Sequence, residues 1–241
     1  MKRLIVCDFD GTLYQKGCGR QFHSMLSLLT HSEVPFAVAS GRPWHMLRQY
    51  FEDVLDRIYL VSNDGALITK GEQILYAAPI PPEGLTELCE DRDFVAYGAL
   101  LSYLKIGGTA ERIRWRQTFR QHAMEVRHVT EISEPIYKIF FPGDVAAPPF
   151  LQPTYARNGV TEFAREGVHK GTALRYLAER EDISAAQCYA FGDGENDREL
   201  FASAGHSAAM VHSPPKVKES ADRVCTAFYE ELKEMIRGDF L

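Results

Sequence analysis

Near its start the chain reads Leu4-Ile5-Val6-Cys7-Asp8-Phe9-Asp10-Gly11-Thr12. Four apolar residues followed by Asp-x-Asp-Gly predict a short buried strand that ends abruptly in a turn. While the backbone stays extended, Asp8 and Asp10 point to one side and Phe9 to the other, because successive side chains alternate. Two carboxylates held this close repel each other, and a bound divalent cation would remove the repulsion. The stretch therefore predicts either a Mg²⁺ site at a strand tip or, more simply, an Asp-Gly turn.

The bulk composition predicts a soluble globular protein. The chain has 241 residues, of which 45% are hydrophobic and 25% charged, enough for one domain with an insertion or for two modest domains. With 33 acidic against 27 basic residues and a net charge of −6, it has no general attraction to nucleic acid or to an anionic membrane surface. We therefore expect neither a nucleic acid nor a membrane as a partner.

The cysteines and the first residues indicate a cytoplasmic location. The five cysteines show no C-x-x-C spacing and are expected to be reduced, buried thiols. The sequence reaches Asp8 too soon for a signal peptide, and no apolar run approaches the length of a membrane span. Together these features predict a soluble protein of the cytoplasm.

The first 81 residues alternate between predicted strands and helices. Apolar spacing predicts a helix over 22–29, then strands over 34–39 and 58–61. Between these strands, Pro43 suits the first turn of a helix with an apolar face made of Trp44, Leu47, Tyr50 or Phe51, and Val54. The two strands end in Ser40-Gly41-Arg42 and in Ser62-Asn63-Asp64-Gly65-Ala66. Polar residues at successive strand tips are typical of an open parallel sheet whose carboxyl edge carries the active site.

The pattern changes at Pro79-Ile80-Pro81-Pro82, which predicts a domain boundary because closely spaced prolines interrupt both helices and central strands. The next segment predicts a helix over 83–90, a strand over 94–97, an arginine-rich helix over 109–122 and a strand over 136–141. We expect an α+β insertion over 82–165 that covers the carboxyl edge of the sheet. The core would then consist of 1–81 and 166–241.

The last part of the chain returns to the earlier alternation. Gly167-Val168-His169-Lys170-Gly171-Thr172 opens a predicted helix, and Cys188-Tyr189-Ala190-Phe191 predicts the next strand. At the tip of that strand stands Gly192-Asp193-Gly194-Glu195-Asn196-Asp197, where the glycines let a ligand approach the backbone closely. Because a parallel sheet brings distant strand ends to one edge, this second acidic cluster is expected near Asp8.

Taken in order, these stretches resemble the motifs of the haloacid dehalogenase superfamily of phosphohydrolases. The matching parts are the run at 8–12, Ser40-Gly41-Arg42, Lys170-Gly171 and the run at 192–197, and the run at 62–66 is similar to the Cof-type branch. The resemblance covers the core nearly from end to end. It implies an α/β fold with a Rossmann-like parallel sheet core, helices on both faces, and an inserted α+β cap domain of class IIB.

The resemblance also implies a role for each site residue. Asp8 would be the nucleophile that forms an aspartyl-phosphate, and Asp10 would protonate the leaving oxygen and then activate water. Mg²⁺ would be bound by Asp8 and Asp193 directly and by the main-chain carbonyl of Asp10, with Asp197 supporting the metal from behind. The residues in contact with the phosphate or the rest of the substrate would be Ser40, Gly41, Lys170 and Asn196. Asn196 would alternatively hold the partner of Lys170.

Simpler interpretations exist for several of these residues. Ser40 suits a helix N-cap, Lys170 a solvated helix end and Asp193 a turn. Arg42 is expected to pair with a core carboxylate, and His169 to begin a helix. The arginines of the predicted cap helix lie on both of its sides, which favours a solvated helix over an extra anion site; they are Arg112, Arg114, Arg116 and Arg120.

One stretch departs from the family pattern. Where such proteins usually have Met-Gly-Asn-Ala, this chain reads Met210-Val211-His212-Ser213. The replacement is expected to alter the loop near Lys170 and Asn196. The nucleophile and the metal ligands are expected to stay intact.

The sequence thus predicts a Mg²⁺-dependent phosphatase that acts on a small phosphorylated metabolite, such as a sugar phosphate. Two alternatives remain open at this point. A phosphomutase would return the phosphoryl group to a second hydroxyl instead of to water, and a metabolite-binding regulator would have kept only the fold. The intact Asp8, Asp10, Lys170 and Asp193 argue against the regulator. The substrate would be selected by the cap, and no particular oligomeric state is predicted.

Overall fold

A computed structural model describes residues 2–15, 17–157 and 159–237. Its strands are β1 (Leu4–Asp8), β2 (Phe36–Ala39), β3 (Tyr59–Ser62), β4 (Leu67–Lys70), β5 (Gln73–Ala77), β6 (Phe94–Tyr97), β7 (Ser102–Lys105), β8 (Ala123–Glu125), β9 (Lys138–Pro142), β10 (Leu151–Arg157), β11 (Val160–Arg165), β12 (Cys188–Gly192), β13 (His206–Met210) and β14 (Arg223–Cys225). Its α-helices are α1 (Gly19–Thr30), α2 (Trp44–Leu47), α3 (Leu85–Cys89), α4 (Thr109–Phe119), α5 (Lys170–Arg180), α6 (Arg198–Ser203), α7 (Pro215–Glu219) and α8 (Phe228–Arg237).

The larger sheet has eight strands in the order β14-β13-β12-β1-β2-β3-β4-β5. The strands from β14 to β3 are parallel, whereas β4 and β5 extend the sheet as an antiparallel hairpin. Strand β1 lies between β12 and β2. Because these three strands run side by side in one direction, Asp8, Ser40 and the residues after Gly192 all emerge at the same edge.

Helices cover both faces of this sheet. Ile5 and Cys7 of β1 pack into the apolar cluster on one face, and Leu4 and Val6 into the cluster on the other. Helices α1 and α8 contribute Phe22, Met25, Leu232 and Met235 to the first cluster, and α5 and α6 contribute Leu174, Leu177, Leu200 and Phe201 to the second. A strand buried on both faces reads as a continuous apolar run, as the opening stretch does. The predicted α/β core is confirmed.

A second, smaller sheet is inserted between β5 and α5. Its six strands have the order β10-β11-β9-β6-β7-β8, and each neighbouring pair is antiparallel except β7 with β8. Helices α3 and α4 belong to the same segment, and a separate apolar cluster that includes Phe94, Phe141 and Phe163 stabilises it. The predicted α+β insertion is confirmed, and its limits at 82 and 165 stay a prediction.

The second predicted helix is shorter than expected. It ends at Leu47 and continues as two 3₁₀ turns over 48–50 and 52–54. Phe51 interrupts it with φ −127° and ψ 16°, and its fully buried ring packs against Phe9. Burial of this aromatic ring therefore overrides the helical spacing of the surrounding apolar residues.

Eight strands are absent from those predicted from the apolar pattern: β4, β5, β7, β8, β10, β11, β13 and β14. The first two flank Gly71, a hairpin signal that could have been used. Strand β10 contains Pro153, which usually excludes a central strand. Here β10 is the edge of the smaller sheet and its register shifts after Pro153, so the missing N–H is tolerated.

No helix in the described ranges combines the length and apolarity that crossing a membrane requires, and the cytoplasmic location stays a prediction. The cysteines are free and buried, as predicted; they are Cys7, Cys18, Cys89, Cys188 and Cys225.

One buried histidine connects the two sheets. His45 of α2 is 2% exposed, and its Nδ1 donates a hydrogen bond of 3.2 Å to the carbonyl oxygen of Ala99. Its Nε2 then accepts from the hydroxyl of Ser102 at 3.1 Å. Burial lowers the pKa of His45 to about 4, although the bond to Ala99 raises it and nearby His122 lowers it further. A neutral imidazole therefore holds α2 against β7.

We expect acid to destabilise the protein through His45. Because the pKa of His45 is about 4 in the folded chain and about 6.5 in an unfolded one, the unfolded chain binds the proton first. The contribution is present above about pH 6.5 and is lost as the pH falls towards about 4, on the order of 2 to 3 kcal/mol in the free energy of unfolding.

Urea unfolding at several pH values measures this contribution. The wild type should lose stability more steeply than His45→Gln between about pH 6.5 and 4.5. His31→Gln, which replaces an exposed histidine, serves as the control and should behave as the wild type does. The same slope in all three proteins would contradict the prediction.

Candidate active site

A buried lysine joins two acidic stretches at the carboxyl edge of the larger sheet. Asp8 ends β1, Lys170 begins α5, and Asp197 directly precedes α6. The Lys170 Nζ donates to Asp8 Oδ1 at 2.5 Å and to Asp197 Oδ1 at 2.7 Å. Lys170 and Asp197 are 0% exposed and Asp8 is 6% exposed. Each of these charges therefore depends on the others for compensation.

The loop after β12 is held by Asp197. Its Oδ2 accepts the backbone N–H groups of Asp193 at 3.0 Å and of Gly194 at 2.9 Å. Gly192 has no room for a side chain, because a Cβ there would lie 2.4 Å from Cγ of Asp197. Thr12 donates to Asp193 Oδ1 at 3.1 Å and so connects this loop to the turn after β1. These contacts fix the position of the Asp193 carboxylate.

Three carboxylates could hold a divalent cation. Oxygens of Asp8, Asp193 and Asp197 lie within 4.8 Å of one another. Both oxygens of Asp197 already accept hydrogen bonds, whereas Oδ2 of Asp8 is buried and has no hydrogen-bond partner among the described residues. Such an oxygen is costly to bury alone, and a hard cation would satisfy it. The residues therefore fit Mg²⁺, with Asp8 and Asp193 as the available side-chain ligands.

The pKa values of these groups reflect the crowding of negative charge. Burial raises the pKa of Asp8 well above its usual range, and Asp197 adds to this, although Lys170 acts in the opposite direction. Burial also raises the pKa of Asp193, again with a contribution from Asp197. Burial would lower the pKa of Lys170, but the charges of Asp197 and Asp8 outweigh it and raise the pKa. Acidic groups exceed cations here, so a bound metal ion would be stabilising.

Asp10, the predicted acid and base, lies at the rim of the site. Its side chain is 51% exposed, and its two oxygens accept hydrogen bonds of 2.6 Å from Nε and Nη2 of Arg42. The Arg42 Cζ lies 5.2 Å from the ring centroid of Phe9 and 5.4 Å from that of Tyr50. Arg42 thus pairs with a carboxylate as predicted, but its partner is the half-exposed Asp10 and not a core residue. This two-bond pair fixes the direction of the Asp10 side chain.

Ser40 and Gly41 follow β2 and line, together with Asp8 and Asp10, a cavity at this edge of the sheet. The N–H of Ser40 donates to the carbonyl of Val61 at 2.8 Å, and the carbonyl of Ser40 accepts the N–H of Asp64 at 3.0 Å. Its Oγ accepts the N–H of Arg42 at 3.2 Å, so the hydroxyl hydrogen can donate to a ligand. At Gly41 a Cβ would lie 3.2 Å from the Asp64 carboxylate. A side chain there would therefore crowd this part of the cavity.

A second buried charge cluster borders the site, and sequence reasoning missed it. Lys138 of β9 is 3% exposed, and its Nζ lies 2.6 Å from Asp64 Oδ2 and 2.9 Å from Glu162 Oε2. Asn196 donates to Asp64 Oδ1 at 2.9 Å, and its contact with a substrate stays a prediction. A usable signal was the single lysine in the apolar run Ile136-Tyr137-Lys138-Ile139-Phe140-Phe141.

Both members of the Lys138–Asp64 pair are charged. Burial would raise the pKa of Asp64, but Lys138 and Lys170 outweigh it and lower the pKa. Burial would lower the pKa of Lys138, and Asp64 and Glu162 reverse this. The left-handed backbone of Asp64, with φ +55°, is uncommon outside glycine and is held by these contacts. The pair therefore connects a strand of the smaller sheet to a strand tip of the larger one.

Residues from both sheets surround a cavity of about 320 Å³, the candidate catalytic cavity. The larger sheet contributes Asp8, Asp10 and Asp193, and the smaller sheet contributes a mixed aromatic and polar surface that includes Tyr97, Lys138, Phe140, Thr154 and Glu162. The Thr154 hydroxyl is buried without a hydrogen-bond partner in the described part of the chain. The volume and the few convergent polar groups suit a small molecule.

Two histidines bear on the remaining predictions. His169 caps α5 by accepting the N–H of Thr172 on Nδ1 at 3.3 Å, in agreement with its predicted place at a helix start. His212, in the stretch that departs from the family pattern, lies 3.6 Å from Asp193 Oδ2. His212, which stands where the family usually has asparagine, thus places an imidazole beside Asp193. Lys170 keeps both of its carboxylate partners.

The arginines of α4 match the favoured interpretation in part. Arg112 is half-buried, Arg114 and Arg116 are exposed, and Arg116 pairs with Glu125 at 2.9 Å. These contacts are typical of a solvated helix. Arg120, in the turn after α4, lines a cavity instead.

Comparison with known protein families gives a match over nearly the whole chain. The family model described as haloacid dehalogenase-like hydrolase covers residues 5–231. That range contains every candidate site residue from Asp8 to Asp197. It also contains all six strands of the smaller sheet.

Two curated proteins and one solved structure illustrate the similarity. A 5-amino-6-(5-phospho-D-ribitylamino)uracil phosphatase from Escherichia coli (strain K12) is 22% identical over 241 residues, which cover 91% of this chain and 89% of that protein. An HMP-PP phosphatase from Serratia proteamaculans (strain 568) is 25% identical over 240 residues, covering 90% of this chain and 88% of that protein. The structure of a HAD subclass IIB sugar phosphatase matches with a TM-score of 0.77 at 17% identity over 100% of both chains.

Proposed function

The chain belongs to the haloacid dehalogenase-like hydrolase family, and we propose that it is a Mg²⁺-dependent phosphatase that works through a phosphorylated Asp8. It is a phosphoric monoester hydrolase, in agreement with the relatives named above, which are phosphatases by name. One observation carries the finer proposal: Oδ1 of Asp8 binds Lys170, while its buried Oδ2 has no partner in the described chain, and Asp8 clusters with the carboxylates of Asp193 and Asp197.

In the proposed reaction a carboxylate oxygen of Asp8 attacks phosphorus while the bond from phosphorus to the leaving oxygen breaks. Asp10 gives its proton to that oxygen, and the product alcohol departs. Water then attacks the same phosphorus, Asp10 takes its proton, and the bond between phosphorus and Asp8 breaks to release inorganic phosphate. Because Asp10 is bound to Arg42 at the rim, its side chain must turn from Arg42 towards the substrate before it can act.

The phosphoryl oxygens stay negative throughout, so hydrogen-bond donors and positive charge must surround them. In the proposal the Ser40 hydroxyl and the backbone of Gly41 donate to these oxygens, Lys170 supplies a fixed charge, and Asn196 contacts the substrate. Bound Mg²⁺ would supply further positive charge next to Asp8. Support comes from the cavity lining, which includes Ser40, Gly41 and Asn196. Lys170 is fully buried and does not line the cavity, but it contacts Asp8, which does.

We propose that residues 82–165 form the cap that selects the substrate. The smaller sheet of this segment provides one side of the catalytic cavity, including Lys138 and Thr154. The relatives named above act, by their names, on a ribitylaminouracil phosphate, on HMP-PP and on a sugar phosphate. A small phosphorylated metabolite, such as a sugar phosphate, is therefore the proposed substrate class.

Removal of divalent metal is expected to abolish hydrolysis of p-nitrophenyl phosphate. EDTA-treated protein should release no phosphate, because the carboxylates of Asp8 and Asp193 would then repel each other without a cation between them. Added Mg²⁺ should restore the release. Asp193→Asn should raise the Mg²⁺ concentration needed for half-maximal rate by about tenfold or more. The rate is measured by free-phosphate detection during Mg²⁺ titration.

The same assay separates the alternatives. Asp53→Asn, an exposed carboxylate, should titrate with Mg²⁺ as the wild type does. Turnover that is insensitive to EDTA would refute the metal dependence, and no turnover of p-nitrophenyl phosphate at all would refute the phosphatase itself. Transfer of the phosphoryl group to a second hydroxyl without free phosphate would identify a mutase.

A further inference from the structure

A second cavity adjoins the catalytic cavity. It has a volume of about 360 Å³ and lies between α2 and the turn that follows α4. Four residues line both cavities: Arg42, Met46, Thr118 and Phe119. A substrate bound at Asp8 can therefore extend past Arg42 into this outer cavity.

The outer cavity offers positive charge and hydrogen-bond donors. Its lining includes the two arginines Arg42 and Arg120, together with Gln49, Gln121 and His122. None of the described aspartates or glutamates lines it. A concave surface of this composition attracts anions, and guanidinium groups bind carboxylates and phosphates in a two-bond geometry.

Arg120 is the arginine of this cavity that has no acidic partner. Arg42 pairs with Asp10, and Arg116, one helical turn before Arg120, pairs with Glu125. Within the described ranges Arg120 forms no ion pair with an aspartate or glutamate. Its charge is therefore available to a ligand without the loss of an existing contact.

The backbone conformation at Arg120 is strained. Arg120 ends α4 with φ +50° and ψ −120°, a positive-φ conformation that residues other than glycine rarely adopt. The turn directs residues 120–122 towards α2, where the ring of His122 packs 5.0 Å from that of His45. Conformations of this kind persist where packing enforces them, and they are concentrated at ligand sites.

We infer that the outer cavity binds a second anionic group of the substrate, a carboxylate or a further phosphate, and that Arg120 recognises it. The inference rests on the proposed phosphatase function of the adjoining cavity. It names the substrate class more narrowly as phosphate esters with a second anionic group. Arg42 contributes as well, because the anion and Asp10 compete for its guanidinium group. Binding of the anion therefore favours the orientation in which the Asp10 side chain turns towards the leaving oxygen.

The test compares substrates that differ only in the second anionic group. Sorbitol phosphate and phosphogluconate, both phosphorylated on the terminal hydroxyl, differ by one carboxylate. Fructose monophosphate and fructose bisphosphate differ by one phosphate. Compounds that release no phosphate are measured as competitive inhibitors of p-nitrophenyl phosphate hydrolysis, and each measurement is repeated at low and high salt.

The wild type should prefer the doubly anionic member of at least one pair, and salt should weaken the preference, since the cavity is open to solvent. Arg120→Gln should reduce the ratio of kcat/KM within that pair, or the ratio of inhibition constants for compounds measured as inhibitors, by about tenfold. Arg114→Gln removes the same charge from an exposed part of α4 and should leave the ratio unchanged. Arg120→Gly should lose the preference in the same way and unfold at a higher temperature, because glycine accepts φ +50° without strain.

The inference and the proposed function fail in different ways. A wild type without preference in either pair, or a ratio that Arg120→Gln leaves unchanged, overturns the inference while hydrolysis of p-nitrophenyl phosphate still supports the phosphatase. Absence of that hydrolysis overturns both. An equal loss of the preference in Arg114→Gln and Arg120→Gln would assign it to the general charge of the helix and would also overturn the inference.

Discussion

Asp8→Asn is expected to lower kcat for p-nitrophenyl phosphate by about 10⁴-fold or more, because an amide cannot attack phosphorus to form the acyl phosphate. The variant should fold, since asparagine has nearly the same size and Lys170 keeps its contact of 2.7 Å with Asp197. Phosphate release measures the first expectation, and cooperative thermal unfolding measures the second.

A covalent intermediate gives a second readout for Asp8. Wild-type protein quenched in acid during turnover should gain the mass of one phosphoryl group, and Asp8→Asn should not. Asp53→Asn makes the same chemical change at an exposed position and should keep both the rate and the mass gain. Near-normal activity in a folded Asp8→Asn protein would remove Asp8 as the nucleophile.

Lys170→Met should affect both activity and stability. Loss of the only cation in contact with Asp8 and Asp197 in the described chain leaves two buried carboxylates uncompensated, which should cost about 3 to 5 kcal/mol in the free energy of unfolding. The rate should fall by about 10² to 10³-fold, because the phosphoryl oxygens lose a fixed positive charge. Urea unfolding and phosphate release measure the two effects.

The pH dependence separates lost charge from lost packing at position 170. Without the lysine, burial raises the pKa of Asp8 further. The folded variant then binds more protons than the unfolded chain, and its stability falls as the pH rises from about 5 to 8. Lys216→Met, which alters an exposed lysine of α7, is the control. A destabilisation of Lys170→Met that is the same across this pH range would indicate packing alone, and no destabilisation would show that the carboxylates do not depend on Lys170.

Much of the core could be predicted because its signals are local. The apolar run before Asp8, the polar residues after each strand and the glycines around Asp193 identify strands, their ends and a parallel sheet. Parallel order then requires that distant strand tips share one edge, and the contacts of Lys170 with Asp8 and Asp197 follow from that order. The short alternation of turn and strand in β4 and β5 is equally local, and Gly71 shows that the signal was present.

The rest depended on contacts between segments that no spacing reveals. Lys138 looks like a single interruption of an apolar strand until Asp64 and Glu162 are seen around it. The partner of Arg42 could be predicted as a carboxylate, but not as Asp10, because the choice depends on the direction of two turns in space. Arg120 reads as one more arginine of a solvated helix, and its place in the lining of the outer cavity follows only from the positive-φ turn that ends α4.

The ion pair of Lys138 with Asp64 limits how the inserted segment that carries the smaller sheet could be replaced. A chimera that received the corresponding segment of a relative would gain a new surface around the leaving group. It would also lose the cation that compensates Asp64, unless the graft carried a lysine or an arginine at the matching position of its central strand. Transplantation of specificity into this enzyme therefore depends on one basic side chain in the graft, besides the residues that touch the ligand.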